Sequence, residues 1–333
     1  MTYQQPAEWQ PHSACWLAYP YEPAWWLEDL AGAQLEFMAL LKQIGRSEKL
    51  EILVPDQATG DQVLAELANL PGRCHLLPYG DIWLRDIGAV FVQSDQGELA
   101  ANVFAWNGWG NKYLMPHDHT VSRAIAEVLA IPVREFPLIL EGGAIEVDGA
   151  GTCLTTRSCL SDRNPHLTEA EINDLLGTAY GVDTIFWLDQ GLLNDHTDGH
   201  IDTIARFIAP GTVMYMLPSG TTDPNTQVLL EIERQLASFQ DRQGKILQLV
   251  PIPSPGLVKD VRGEIMPASY LNFYIANNQV LVPLYGSDQD QAALQAIAPH
   301  FPTRKTIGLP AKSILGGGGA FHCITQQQPQ VKC

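Results

Sequence analysis

Helical and extended patterns alternate along this chain of 333 residues, and chemically distinctive polar residues recur beside the extended ones at a near-constant spacing. Asp86, Glu141, His200 and Cys323 each stand next to a short apolar run, at intervals of 55, 59 and 123 residues, the last about twice the others. A unit of roughly 60 residues that cannot bury its own apolar face stacks on copies of itself. If the stack closes radially, each unit turns one end towards a common centre. The spacing therefore predicts five units, each of a few strands and a helix, supplying residues to one site.

The elements agree with a mixed α/β chain. Apolar residues follow the helical period over 27–44, 59–70, 121–129, 169–180, 226–239 and 288–297. Short strand patterns run over 50–54, 89–93, 144–147, 153–156, 200–208, 213–217, 271–275 and 280–283. Two helices open with capping signals, Thr168 with Glu171 and Ser287 with Asp290, the second weaker because Asp is the shorter side chain. No Pro/Ser-rich linker or low-complexity stretch divides the sequence, so residues 1–333 are expected to form one domain.

Composition excludes several classes of function. With 46% hydrophobic and 17% charged residues the chain can bury a large core. No apolar run reaches the roughly 18 residues that span a bilayer, and the first residues lack a secretory pattern, so a soluble cytoplasmic protein is expected. The formal charge of -17 repels nucleic acid and acidic membranes and draws small cations. The six cysteines show no CxxC pairing and are expected to be free thiols, with Cys15, Cys153 and Cys159 as core fillers and Cys333 a mobile, exposed terminal thiol.

Chemistry concentrates in four segments. Residues 316–329 read GGGGAFHCITQQQP. Four glycines let the backbone approach a ligand closely, and 320–325 read as a short strand that presents Cys323 to a cleft. In a strand His322 would face the other way, which removes it as the base for Cys323. The alternative is a glycine-rich turn carrying an inert thiol. Within DHTDGHIDTIARF, residues 195–207, an extended conformation puts His200 and Asp202 on one face. His196 and His200 also have the spacing of a helical zinc pair, but Gly199 interrupts it and a third ligand is not evident; His117, Asp118 and His119 sit in a polar loop. The segment GDIWLRDIG, residues 80–88, offers Trp83 and Asp86 for a flat cation, against the alternative of a solvated loop with an Arg85 to Asp salt bridge. LEGGAIEVDG places Glu141 before two glycines, a weak signal alone. Of the tryptophans, Trp109 in NGWGNKY is the one placed to approach a substrate, while Trp25, Trp26 and Trp106 fit either core or pocket wall.

Together with PAEWQPHSACWLAYP near the start and PASYLNFYIANNQVLVPLYG at 267–286, these strings resemble the agmatine deiminase family of the guanidine-modifying superfamily, in order and over nearly the whole chain. The resemblance implies a five-bladed pseudo-symmetric α/β propeller (pentein) of ββαβ units. It implies Cys323 as nucleophile, His200 as general acid/base, Glu141 as its acidic partner, and Asp86 and Asp202 as the carboxylates that grip a guanidinium. Trp83, Trp109 and Gly318 would line the substrate. It further implies hydrolysis of agmatine to N-carbamoylputrescine and ammonia in polyamine and putrescine biosynthesis, through an amidino-cysteine, with no metal or organic cofactor. The implied partner is a small cationic guanidine, with a homo-oligomer compatible. Arginine or peptidyl-arginine deiminases, amidinotransferases and a non-catalytic guanidine-binding module are the alternatives. Two positions depart from the family pattern, Ala89 where Pro is usual and Ala320 where Asn or Gly is frequent.

Overall fold

Among the described residues, four hairpins and a fifth antiparallel pair made from the two ends of the chain are each extended by a parallel strand that follows a helix, giving five sheets. The computed structural model describes residues 2–26, 29–240 and 244–331. In one unit Val90–Ser94 pairs antiparallel with Leu99–Ala105, the helix Asp118–Leu129 follows, and Val133–Ile139 joins in parallel. The same sequence of events recurs with Glu146–Val147, Thr152–Thr156, helix Glu169–Tyr180 and Thr184–Leu188. It recurs with Ala205–Ala209, Thr212–Leu217, helix Thr226–Ser238 and Gln248–Pro253. A fourth copy uses Tyr274–Ile275, Gln279–Leu284, helix Asp290–Ile297 and Lys305–Pro310.

The remaining sheet joins the two ends of the chain. Gln326–Pro329 pairs antiparallel with His12–Ala18, which pairs in parallel with Lys49–Leu53 after the helix Leu30–Ile44, and Gly72–His75 adds a further parallel strand. Tyr3–Gln4 lies antiparallel on Val90–Ser94, so the first residues strap one sheet to the next.

Helical spacing of apolar residues decides which faces are buried. On Leu30–Ile44 the residues Ala33, Phe37, Leu40, Leu41 and Ile44 are inside. Burying each large side chain contributes about 1.5 to 3 kcal/mol. The 169–180 helix starts where expected: Thr168 accepts from the Glu171 N–H while the Glu171 carboxylate accepts from the Thr168 N–H. The other cap is different. Gln289 caps Asp290–Ile297, Ser287 Oγ accepts from the Gln289 N–H, and the Asp290 carboxylate folds back onto the N–H groups of Tyr285 and Gly286. A short Asp side chain reaches the preceding turn more easily than it completes a reciprocal box.

Several expected strands are corrected, those over 144–147 and 271–275 beginning only at Glu146 and Tyr274. The 200–208 strand begins only at Ala205, because residues 201–203 form a 3-10 turn. Residues 321–324 form a helical turn rather than a strand. Asn272 Oδ1 accepts the N–H groups of both His322 and Cys323, and Thr325 Oγ1 donates to Phe321 O, which winds the segment. Cys15, Cys153 and Cys159 are buried, as core fillers should be. Cys333, and residues 27 and 28 where the first helical pattern opens, lie outside the described residues. Among the described residues no helix is long and apolar enough to cross a membrane.

Candidate active site

Each unit delivers one polar side chain from the bend that precedes its first strand. Asp86 lies in the helical turn Leu84–Ile87, Glu141 and His200 cap the 3-10 turns Gly142–Ala144 and Ile201–Thr203, and Cys323 lies in Phe321–Ile324. The fourth unit contributes Asn272, just before Tyr274–Ile275. Sequence reasoning missed Asn272, although the doubled interval between His200 and Cys323 left a place for it.

Cys323 is nearly enclosed. Asn272 Nδ2 donates to its Sγ at 3.1 Å, and Asp202 Oδ2 lies 3.6 Å from the same sulfur. Burial, then the charges of Asp202 and Asp86, push the thiol well above its ordinary range. Asp86 Oδ1 accepts from the Gly143 N–H and Oδ2 from Trp109 Nε1, both at 2.9 Å. Burial outweighs the pull of His200 and raises the Asp86 carboxyl to about 6.

His200 has no exposed surface, and its ring bridges two carboxylates, with Nδ1 3.7 Å from Asp86 Oδ1 and Nε2 3.7 Å from Glu141 Oε2. Burial opposes its charge, yet Asp86, Cys159 and Glu141 drive its pKa well up. Glu141 would also be raised by burial; His200 and Arg163, whose Nε donates to Oε1 at 2.8 Å, draw it down to about 2. Cys159 Sγ stands 3.5 Å from Glu141 Oε2, a contact its apolar sequence surroundings gave no reason to expect.

The second glycine of the LEGG segment turns that weak signal into a strong one. A Cβ on Gly143 would lie 2.6 Å from His200 Nδ1, 2.8 Å from Asp86 Oδ1 and 3.2 Å from Asp202 Oδ2. Only glycine lets three functional groups meet over that backbone.

A cavity of about 320 Å³ opens onto Cys323, lined by Trp83, Asp86, Trp109 and Gly318 among the expected residues, with Trp25, Asp81 and His196 beside them. The glycine run is tightly used: Cβ atoms would meet the Trp26 and Trp83 rings at Gly317 and the Cys323 side chain at Gly319, and Gly318 has φ +123°. Trp109 itself takes φ +50° inside a left-handed run from Gly108 to Asn111, a strained conformation that aims its indole N–H at Asp86. The tryptophan is therefore both pocket wall and hydrogen-bond donor.

Residues 194–199 turn through positive φ at Asn194, Asp198 and Gly199, so His196 and His200 do not share a helix face. Among the described residues Arg85 pairs with no aspartate; it donates to Gln326 Oε1 and His322 O and lies 3.9 Å from Glu8. His322 is not turned away from the site. Its Nδ1 is 2.7 Å from Asp202 Oδ2, because a helical turn does not alternate its side chains as a strand does. Of the two departures, Ala89 O accepts from Gln326 Nε2, and Ala320 is the N-cap of the Cys323 turn.

The model of the Porphyromonas-type peptidyl-arginine deiminase family matches residues 4–329. An agmatine deiminase of Stutzerimonas stutzeri is 36% identical, across 98% of this chain and 95% of its own. The structure of an Enterococcus faecalis agmatine deiminase superimposes with a TM-score of 0.93 at 29% identity, covering 99% of this chain and 96% of that one. A Cys-to-Ser variant of the C. jejuni agmatine deiminase with substrate bound superimposes with a TM-score of 0.90 at 26% identity, covering 99% and 97%.

Proposed function

The chain belongs to the Porphyromonas-type peptidyl-arginine deiminase family, and we propose that it is a single catalytic domain that hydrolyses agmatine to N-carbamoylputrescine and ammonia. One observation carries the proposal. Cys323 Sγ, the carboxylates of Asp86 and Asp202, and the His200 to Glu141 pair form one linked cluster, of which Cys323 and Asp86 line the cavity.

A guanidinium resists attack because its charge is delocalised. Asp86 and Asp202 grip it and keep its carbon beside the sulfur. The arriving cation also neutralises the two carboxylates that oppose ionisation of Cys323, so the thiol loses its proton to solvent as substrate binds. The thiolate forms a C–S bond to the central carbon. Protonated His200 gives its proton to the departing nitrogen, which leaves as ammonia and takes up the proton released from the thiol. A cationic amidino-cysteine remains. Neutral His200, paired with Glu141, next removes a proton from water, and the hydroxide attacks the same carbon. The C–S bond breaks, the hydroxyl proton returns to sulfur, and the substituted urea leaves. The sequence balances without a metal or organic cofactor.

The amine tail favours agmatine over arginine. Asp81, Asp260 and Glu264 line the same cavity and outnumber Arg262, whose cation a substrate carboxylate would need. Ammonia release from agmatine, arginine, methylated arginines and an arginyl peptide tests this. The highest kcat/KM is expected for agmatine, with no turnover by Cys323→Ser. Faster turnover of arginine or the peptide would replace the substrate, and inactivity on the whole panel would remove the function.

A further inference from the structure

The ring of His322 is clamped between carboxylates from distant parts of the chain. Nδ1 lies 2.7 Å from Asp202 Oδ2 and Nε2 lies 2.8 Å from Glu8 Oε2, and the side chain is almost wholly buried. Glu8 is itself fixed. Its Oε2 accepts from Arg206 Nη2 at 2.6 Å, its Oε1 accepts from the Ile275 N–H at 2.7 Å, and Arg85 Nη2 stands 3.9 Å away. Arg206 continues to Glu146 at 3.0 Å and to the carbonyls of Leu271 and Phe273.

Basic and acidic side chains alternate through this lattice. His322, Arg206 and Arg85 face the carboxyl groups of Asp202, Glu8 and Glu146, so each buried carboxyl group has a basic partner. An ionised carboxylate only accepts hydrogen bonds, so a ring held between two of them donates from both nitrogens. Glu8 stays ionised because Arg206 and His322 overcome the upward push of burial, and His322 does the same for Asp202. Among the described residues Asp202 Oδ1 has no hydrogen-bond donor, which leaves that oxygen for a substrate N–H.

We propose that His322 is a positioning residue: by donating to Asp202 and Glu8 at once, it fixes the guanidinium-binding carboxylate to a charge lattice anchored in the first residues of the chain. The substrate part rests on the deiminase reading. The clamp itself does not, and the two are tested separately.

Agmatine binding is measured by calorimetry on the Cys323→Ser protein, which holds substrate without turnover. His322→Ala is expected to weaken binding by about tenfold or more, since it strips a buried carboxylate of its partner. In a protein that also carries Asp202→Asn, the same change is expected to cost less than about threefold, because a residue acting through Asp202 has nothing left to position. His322→Gln, which keeps a donor, restores most of the affinity, and Glu8→Gln falls between. Equal losses with and without Asp202 would overturn the proposal, as would unchanged binding by His322→Ala; if that variant does not fold, the Gln variants carry the same cycle. Independently, nitrogen-15 histidine spectra of the unmodified protein should show, besides any signal from His200, a ring with two slowly exchanging N–H protons that disappears in His322→Gln. If the ring lost in that variant carries only one such proton, the clamp is overturned. If no guanidine binds, the deiminase reading fails and the spectrum alone decides the role of His322.

Discussion

Cys323 occupies surroundings that oppose the thiolate until a cation arrives. Its neighbours are a neutral amide and two carboxylates, and burial adds to their effect. In the free protein, inactivation by iodoacetamide should therefore keep accelerating as pH is raised past the ordinary thiol value of 9.0 rather than level off near neutrality. A plateau near pH 7 in the rate of inactivation would contradict the assignment. At this scale the sequence was partly legible. Strand alternation pairs His200 with Asp202, yet Asp202 lies in a 3-10 turn that His200 only precedes in extended conformation, and what brings both side chains to one place is the bare backbone of Gly143. The same alternation misplaced His322. Four glycines and a short apolar stretch do not distinguish strand from helical turn, and what decides is Asn272, 50 residues away, accepting two successive N–H groups.

Short elements carry the site, and their demands differ from those of the scaffold. Gly143 has no positive φ, so alanine suits its backbone, but the added Cβ would press on His200, Asp86 and Asp202 at once. Gly143→Ala is expected to lower kcat/KM for agmatine by more than about a hundredfold while the circular dichroism spectrum is retained, since small displacements of aligned groups are costly. A variant within threefold of the parent would show that the three groups do not need their present spacing. The helix Glu169–Tyr180 behaves oppositely. Thr168→Ala removes half of its capping box and should cost about 1 kcal/mol of stability, read from the urea midpoint, with kcat/KM unchanged. The box was evident from residue spacing because both partners lie within one turn. The parallel strands Gln248–Pro253 and Lys305–Pro310 were not evident, since prolines weaken a strand pattern. Both lie at the edge of their sheets, where a missing N–H is tolerated.

At the scale of the whole molecule, the recurring interval announced repeated units, but the pairing of Gln326–Pro329 with His12–Ala18 joins residues more than 300 apart, and no local pattern reports such a contact. The closed arrangement gathers many carboxylates in its interior, and they fall into two sets with opposite effects on stability. In Glu141, drawn to about 2 by His200 and Arg163 against burial, and in Glu8 and Asp202, also lowered, the native state binds fewer protons than the unfolded chain. Their stabilisation is present above the ordinary values of 4.5 and 3.8 and is lost as pH falls towards 2. Burial raises Asp81 to about 7 and Asp86 and Asp118 to about 6, so there the native state holds protons that the unfolded chain would release. That contribution is full below 3.8 and is lost as pH rises through 6 to 7. A formal charge of -17 adds repulsion in the same direction as carboxylates ionise. The melting temperature should therefore peak in mildly acidic solution, at about pH 5, and decline towards pH 8. Activity should move the other way, because the role proposed for Asp86, gripping a guanidinium, requires its ionised form, so kcat/KM should fall below about pH 6 while the fold is at its most stable. Asp81→Asn should flatten the decline in melting temperature between pH 5 and 8, since it removes the group with the highest of these values. Calorimetric melting and ammonia release measured on the same samples across pH 4 to 8 separate the two curves; if they rise and fall together, the buried carboxylates are not what sets either one.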